Sequence, residues 1–266
     1  MIKLLLKLVW RLIFLPLEIL PESVKIRTDA ERYGIDRFID YAVTLMKPTD
    51  RLLDAGAGSG RYRQKLSFTQ YQSTDFSDVF DKPSLSRHDF ICNLEKIPKA
   101  DNSYDVIVNT QVLEHVEYPQ QVIKEFYRVL KSGGKLFLTT NQMWGIHGAP
   151  YNFYFYTKYG LESLFRNTGF KIIFIKPRGG IFWFLGKLSK ELPHYIFHQH
   201  MFGGYKENIS FLPRFQPTLT GVILIPFFVI SVYLLGLLVP LLCFYLDWLD
   251  RQKYFTLGYQ CYCVKE

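Results

Sequence analysis

The residues best suited to chemistry cluster around a glycine-rich turn. Leu52-Leu53-Asp54-Ala55-Gly56-Ala57-Gly58-Ser59-Gly60 sets a D-x-G-x-G-x-G pattern directly after a short apolar run. Glycines at that spacing let a ligand come against the main chain and let the turn take dihedrals that side chains disfavour. The chemistry this allows is the holding of a nucleotide-type cofactor, although a plain turn can share the pattern. Asp75 follows Asp54 at a spacing where a carboxylate can accept both hydroxyls of a ribose. Asp89, in HDFICNLEKIP, is expected near the end of a third strand, where it can meet an adenine amine. For both aspartates the alternative is the capping of a turn.

The elements that must position these groups alternate in type. Arg51–Asp54 reads as a strand, and Gly56–Gly60 as a turn into a helix. Tyr71–Asp75 and the apolar Tyr104–Asn109 read as strands. Pro119–Lys131 has helical spacing at Val122, Phe126, Val129 and Leu130, with Gly133 and Gly134 ending the helix. Lys135–Thr140 resumes as strand, Tyr159–Thr168 as a helix stopped by Gly169, and Phe170–Lys176 as a further strand. Phe255–Val264 alternates and reads as the last. Strands alternating with helices predict an α/β fold, a mostly parallel sheet covered on both faces.

With those segments in order, residues from about 48 to 180 resemble the class I S-adenosylmethionine-dependent methyltransferases of the small-molecule "type 11" group. LLDAGAGSGRY, the acidic strand end at Asp75 and DFICNLEKIPKADNSYDVIVNTQVLEHV carry the resemblance, followed by EFYRVLKSGGKLFLTT and GLESLFRNTGFKI. It implies a Rossmann-like sheet of seven strands with the last antiparallel, and S-adenosyl-L-methionine as cofactor. It also implies that Asp54 and the backbone of Gly56 and Gly58 hold the cofactor's amino-acid end. Asp75 would hold the ribose with Phe76 against the adenine, Asp89 and Phe90 would flank the adenine, and Asn109 and Gln111 would line the methionine side.

Methyl transfer from a sulfonium is an in-line displacement, so alignment of the acceptor supplies much of the catalysis. An oxygen acceptor of high pKa also needs a base or a metal. The candidate catalytic residues are His147 and His115, both expected at the carboxyl edge of the sheet; packing in the cofactor pocket or a plain loop position is the alternative. Glu114-His115 is similar to metal-binding relatives among RNA-end and quinone methyltransferases. Gln111 breaks the RNA-end pattern E-x-x-E-H, so no metal is expected. The loop GIHGAPYNFYFYT offers Tyr151, Tyr154 and Tyr156 to an apolar or glycosidic acceptor, or else packs as a lid against protein.

Composition bounds the partners. The chain has 266 residues, 48% hydrophobic and 21% charged, which excludes wholesale disorder. A net charge of +8 favours nucleic acid or an acidic membrane surface. Cys92, Cys243, Cys261 and Cys263 lack zinc spacing and read as reduced thiols. Residues 1–22 place Lys3, Lys7 and Arg11 in one stripe of an otherwise apolar segment, an in-plane amphipathic anchor or a helix packed on its own domain. Residues 23–180 form the methyltransferase domain, 181–254 a hydrophobic insertion, and 255–266 the last strand.

No residue from 215 to 246 is charged. With strands on either side in one sheet, both ends of the insertion must lie on the same side of a membrane. Two full crossings need about 40 residues plus a turn, and Pro226 and Pro240 are expected to interrupt such helices. The expectation is a hydrophobic helical hairpin sunk partway into one leaflet, or a buried or dimer-forming hairpin. Trp183, Tyr195, Trp248 and Tyr254 would sit at headgroup level, and Arg178, Lys187, Lys190, Lys206 and Arg214 would add positive charge. The whole reads as a monotopic or peripheral enzyme on the cytoplasmic face of a membrane with anionic lipid. It would O-methylate an amphiphilic acceptor: a lipid, a lipid-linked sugar or an isoprenoid quinone. Nucleic acid is not the expected partner. An RNA or protein methyltransferase and a non-catalytic membrane scaffold are the alternatives.

Overall fold

The computed structural model describes residues 15–76, 88–201 and 219–266. The basic stripe of Lys3, Lys7 and Arg11, and the charges of Lys206 and Arg214, lie outside the described residues. In chain order the main elements are α1 (Glu22–Lys25), α2 (Ala30–Val43), β1 (Arg51–Ala55), α3 (Arg63–Leu66), β2 (Gln70–Asp75), β3 (Phe90–Ile91), β4 (Tyr104–Thr110), α4 (Pro119–Val129), β5 (Leu130–Asn141), α5 (Lys158–Arg166), β6 (Phe170–Pro177), α6 (Ile181–Met201), α7 (Leu219–Tyr233), α8 (Val239–Leu246) and β7 (Gly258–Lys265). They fall into two compact units, one of Gly34–Arg178 with Thr256–Glu266, the other of Met1–Tyr33 with Gly179–Phe255.

The first unit holds a seven-stranded sheet in the order β3-β2-β1-β4-β5-β7-β6. Strands β1 to β5 pair in parallel, and β7 runs antiparallel between β5 and β6. Its central strands are apolar on both faces because both are covered. On one face Val122, Phe126 and Val129 of α4 bury against Ile107, Leu136 and Leu138. On the other, Phe38, Ile39 and Ala42 meet Val106, Val108 and Phe137. Strand residues one apart thus face opposite layers, and the helices take the spacing of three and four that presents one side. The order reverses between β1 and β4, so their carboxyl ends open a crevice where such sheets take ligands.

Several boundaries differ from the sequence expectation. Helix α4 stops at Val129, because Leu130 is already extended with ψ 142°. Gly133, at φ +76°, sits inside a bulge of β5 rather than ending the helix. The helix after the glycine turn is a single turn, Arg63–Leu66. Strand β7 needs its first glycine: a Cβ on Gly258 would lie 2.1 Å from the Thr140 carbonyl oxygen.

The second unit departs further. Pro226 and Pro240 do not interrupt the apolar stretch, and Thr220–Leu249 is one continuous helix of 30 residues. A π-turn at Leu234–Leu238 separates α7 from α8 and accommodates the ring of Pro240, which would otherwise press on the carbonyl four residues back. The hairpin is therefore formed by α6 against this long helix, not within 215–246. The arms are antiparallel: Trp183 Nε1 donates to Phe244 O at 3.3 Å, and Ser189 Oγ to Leu235 O at 3.0 Å. Gly186 permits the close approach, since a Cβ there would lie 3.0 Å from Cys243 Cβ. Asp247 accepts from the amides of Gly180 and Trp183, and Asp250 from that of Ile181, so two carboxylates stand at the positive end of α6. Trp183 is not at an exposed edge, being half-buried between Tyr33 and Phe244, whereas Tyr195, Trp248 and Tyr254 are exposed.

Among the described residues Thr220–Leu249 is the one helix long and apolar enough to cross a membrane. It leaves Ile223, Phe227, Ile230, Leu234, Leu238, Leu242 and Tyr245 exposed at spacings of three and four. At 1.5 Å per residue this is an apolar stripe on the order of 30 Å long.

Candidate active site

The glycine turn follows β1 at the crevice. Gly56, Gly58 and Gly60 all have positive φ, at +80°, +56° and +74°. At Gly56 the reason is also space, since a Cβ would come within 2.4 Å of Val112 Cγ2. Gly58 opens on room, with no heavy atom of the described residues within 4 Å of the Cβ position. The amides of Gly56 and Ala57 donate to Thr74 O, which ties the turn to the end of β2.

Two carboxylates flank the turn. Asp54 is buried at the end of β1, and its Oδ2 accepts from the Tyr71 hydroxyl at 2.8 Å. Burial pushes its carboxyl up to about 6, and the nearby Asp75 adds to the rise. Such a carboxyl calls for a cation, as the ammonium of an amino-acid group would supply. Asp75 ends β2; its Oδ2 accepts from the Gly58 amide at 2.5 Å and its Oδ1 from the Phe76 amide at 2.7 Å. Open space at Gly58, a desolvated carboxyl at Asp54 and the second carboxylate at Asp75 fit a ligand bearing both an ammonium and a diol. Half-buried Phe76 directly follows Asp75.

The other cofactor candidates make contacts within the protein. Asp89 precedes β3 rather than ending it, and its Oδ2 accepts from the Ser73 amide and hydroxyl at 2.8 and 2.9 Å. It fastens the edge of β2, which is the turn-capping alternative. Half-buried Phe90 lies under the Lys99 ammonium, 4.1 Å from its ring centre. Asn109 is buried, donating from Nδ2 to Ala55 O at 2.8 Å beneath the turn, while its Oδ1 has no hydrogen-bond partner among the described residues. Gln111 sits at positive φ and turns toward β5 and Arg178, from which its Oε1 accepts at 3.1 Å.

The acid–base candidates converge. His115 ends a 3₁₀ turn, Leu113–His115, and His147 stands in the loop after β5, with ring centres 4.7 Å apart. His115 Nδ1 donates to Tyr151 O and His147 Nδ1 to Gly145 O at 2.9 Å. In the neutral rings those bonds place the lone pair on Nε2, the form a proton acceptor needs. Glu114 is buried, with Oε2 accepting from Thr140 Oγ1 at 2.7 Å and Oε1 from Asn141 Nδ2 at 3.1 Å. Burial raises its pKa, opposed by the Thr140 hydrogen bond, by a backbone amide bond and by the His115 and Arg178 charges. Glu114, His115 and His147 each offer a ligand atom within 4.8 Å of the others. This two-histidine, one-carboxylate set suits a divalent cation as well as proton transfer, although the sequence reading expected no metal.

Arg178 is the residue that sequence reasoning misplaced. It is 2% exposed, not part of a charged surface, and its Nη2 donates to Gln111 Oε1, Thr140 O and Asn141 Oδ1. It thereby braces the ends of β4 and β5 beside Glu114. It directly follows β6, and its amide donates to Gly258 O of β7, a meeting that no local sequence pattern announces.

The three candidate tyrosines also divide. Tyr156 is buried, its hydroxyl donating to Leu113 O at 3.0 Å, so in this structure it packs as the lid alternative describes, against protein. Burial pushes that phenol well above its ordinary range. Tyr154 is exposed on one side, with its hydroxyl on Glu117 O at 3.1 Å. Tyr151 is exposed and supplies the carbonyl that holds His115, so the aromatic loop positions a catalytic candidate through its backbone.

Residues 53–138 match the family described as "Methyltransferase domain". The mouse mitochondrial ubiquinone biosynthesis O-methyltransferase is 31% identical over 97 residues, 36% of this chain and 25% of that protein. Its Candida albicans counterpart is 29% identical over 140 residues, 46% and 40% of the two chains. The demethylmenaquinone methyltransferase of Chlamydia trachomatis is 30% identical over 104 residues, 35% and 45%. The chain therefore spans between a quarter and under half of these relatives' length. Among solved structures, a putative sarcosine dimethylglycine methyltransferase from Galdieria sulphuraria superposes with a TM-score of 0.52 at 16% identity, covering 88% of this chain and 85% of that one. The [4+2]-cyclase SpnF gives 0.50 at 21%, covering 86% and 80%. At such identities the likeness is one of fold, and a cyclase on this fold makes the site, not the sheet, the argument for chemistry.

Proposed function

We propose that this chain, whose residues 53–138 match the methyltransferase-domain family and whose sheet has the order of a class I S-adenosylmethionine-dependent methyltransferase, O-methylates an amphiphilic acceptor held in a membrane: a lipid, a lipid-linked sugar or an isoprenoid quinone. The observation that carries the oxygen acceptor is the pair of histidines, each with Nδ1 on a backbone carbonyl oxygen, beside a buried Glu114. S-adenosylmethionine supplies a methyl group on a sulfonium sulfur, open to in-line displacement. The chain's own part is to hold an ammonium at Asp54, to keep the turn open at Gly58, and to accept a ribose at Asp75. His147 or His115 then takes the acceptor's hydroxyl proton at Nε2, and the buried Glu114 carboxyl steadies the charge that results. The relatives named for ubiquinone and menaquinone synthesis support an acceptor of the quinone type.

A second reading of the same cluster makes Glu114, His115 and His147 ligands of a divalent cation that lowers the acceptor's pKa. Both readings place the acceptor hydroxyl at the histidines.

The exposed stripe on Thr220–Leu249 supports the membrane. Burial of that stripe is apolar and salt does not screen it, whereas basic side chains on an anionic surface are screened. The full chain is expected to float with anionic vesicles in a density gradient and to stay with them in about 1 M salt, well past screening. Ile223→Lys with Phe227→Lys, both at exposed positions, should weaken that retention without altering cofactor affinity. A full chain that stays at the bottom of the gradient without detergent contradicts the membrane-held acceptor.

A further inference from the structure

The helical unit contains a cavity of about 320 Å³ lined by Leu20, Phe228 and Val232, with Lys190, Lys25 and His194 among its polar groups. Its volume lies at the lower end of the roughly 300–1,000 Å³ typical of small-ligand sites. The charged group of interest is Lys190, on α6. Its neighbour Lys187 pairs with Glu191 at 2.9 Å. Lys190 makes no ion pair among the described residues, and burial pushes its ammonium pKa down. Asp29 favours the charged form through space, but its own carboxylate caps α2 at the Arg32 amide. Among the described residues Lys25 pairs with Glu22, whose side chain is 87% exposed, a bond of the kind water and competing anions exchange readily. A desolvated cation against hydrocarbon walls is costly to keep, which is a feature of binding sites rather than of optimised cores.

We propose that this cavity binds a phosphate-bearing lipid, with Lys190 and Lys25 at the phosphate and the first carbons of the chain along Leu20, Phe228 and Val232. The site stands apart from methyl transfer, since it needs neither the cofactor nor the acceptor. A lipid is favoured over a free anion because the walls are apolar: each methylene taken from water adds roughly fourfold to affinity, and a bare anion gains nothing there. The cavity's size suits a head group and a short length of chain, so the remainder of the lipid stays in the bilayer.

Calorimetry on the full chain, without cofactor, tests this with three probes: dihexanoyl phosphatidic acid, dihexanoyl phosphatidylcholine and inorganic phosphate. Phosphatidic acid should bind, the zwitterionic lipid at least about tenfold more weakly and inorganic phosphate more weakly still. Lys190→Met should cost tenfold or more in phosphatidic acid affinity while raising the melting temperature of the free protein, because it removes a half-buried, partly desolvated charge. A merely structural lysine would give the opposite thermal shift. Lys190→Arg should retain binding within about threefold. Unchanged affinity in Lys190→Met, or inorganic phosphate binding as tightly as phosphatidic acid, overturns the proposal.

Discussion

Replacing His147 by alanine is expected to lower turnover by about 10²–10⁴ while leaving S-adenosylmethionine affinity nearly intact, the signature of a lost general base. The two rings stand 4.7 Å apart and both carry their Nδ1 proton on a backbone carbonyl. His115→Ala should also impair turnover, with the additional cost of freeing the Tyr151 carbonyl that His115 grips. Dialysis against a chelator separates the two readings of the cluster. If proton transfer alone operates, activity survives dialysis; if Glu114, His115 and His147 hold a cation, activity is lost and returns with a divalent metal. Turnover unchanged in both alanine variants would remove these residues from the chemistry.

The second large effect concerns Asp54. Its carboxyl is raised to about 6 in the cofactor-free fold, chiefly by burial. A cofactor ammonium selects the ionised form, so affinity should be flat above about pH 6.5 and fall by up to tenfold per unit below 6. The stability of the free protein runs the other way. A carboxyl whose folded value exceeds its unfolded value of 3.8 favours the folded state at low pH, and that advantage disappears as pH rises from 3.8 through 6. By pH 7 the ionised group costs the free protein on the order of 3 kcal/mol. Asp54→Asn should therefore weaken cofactor binding at pH 7.5 by about ten- to a hundredfold, abolish the fall below pH 6, and raise the melting temperature. Calorimetric titration across pH 5–8 with thermal melts reads all three. A variant that keeps the wild-type pH profile would assign the titration to another group.

What the sequence revealed follows from local rules. Strands β1, β4 and β5 were legible because a parallel strand covered on both faces is a nearly unbroken apolar run, and α4 because Val122, Phe126 and Val129 fall on one side. The glycine turn was legible because Gly56 and Gly58 need dihedrals that other residues avoid. What failed depended on contacts between distant segments. Arg178 has the composition of a surface residue, and only the meeting of β6 with β7 buries it beside Asn141. Tyr156 reads like its neighbours in the aromatic loop until the Leu113 carbonyl claims its hydroxyl. Asp89 reads as a strand end, yet lies one step short of it, where Ser73 takes its carboxylate. Pro240 signals a break in any local reading, and the π-turn before it absorbs the missing hydrogen bond. The closeness of Glu114, His115 and His147 likewise required the loop after β5 to fold back over the end of β4.

Methyl transfer to a membrane-held acceptor is the central claim, and one assay tests it most directly. The full chain in mixed micelles is incubated with methyl-labelled S-adenosylmethionine and, in parallel, with a membrane lipid extract, total RNA and a soluble protein fraction. Label should pass into the organic phase of the lipid reaction as an alkali-stable ether, and His147→Ala should abolish it. Label recovered in RNA or protein, with none in the lipid phase, would contradict the account.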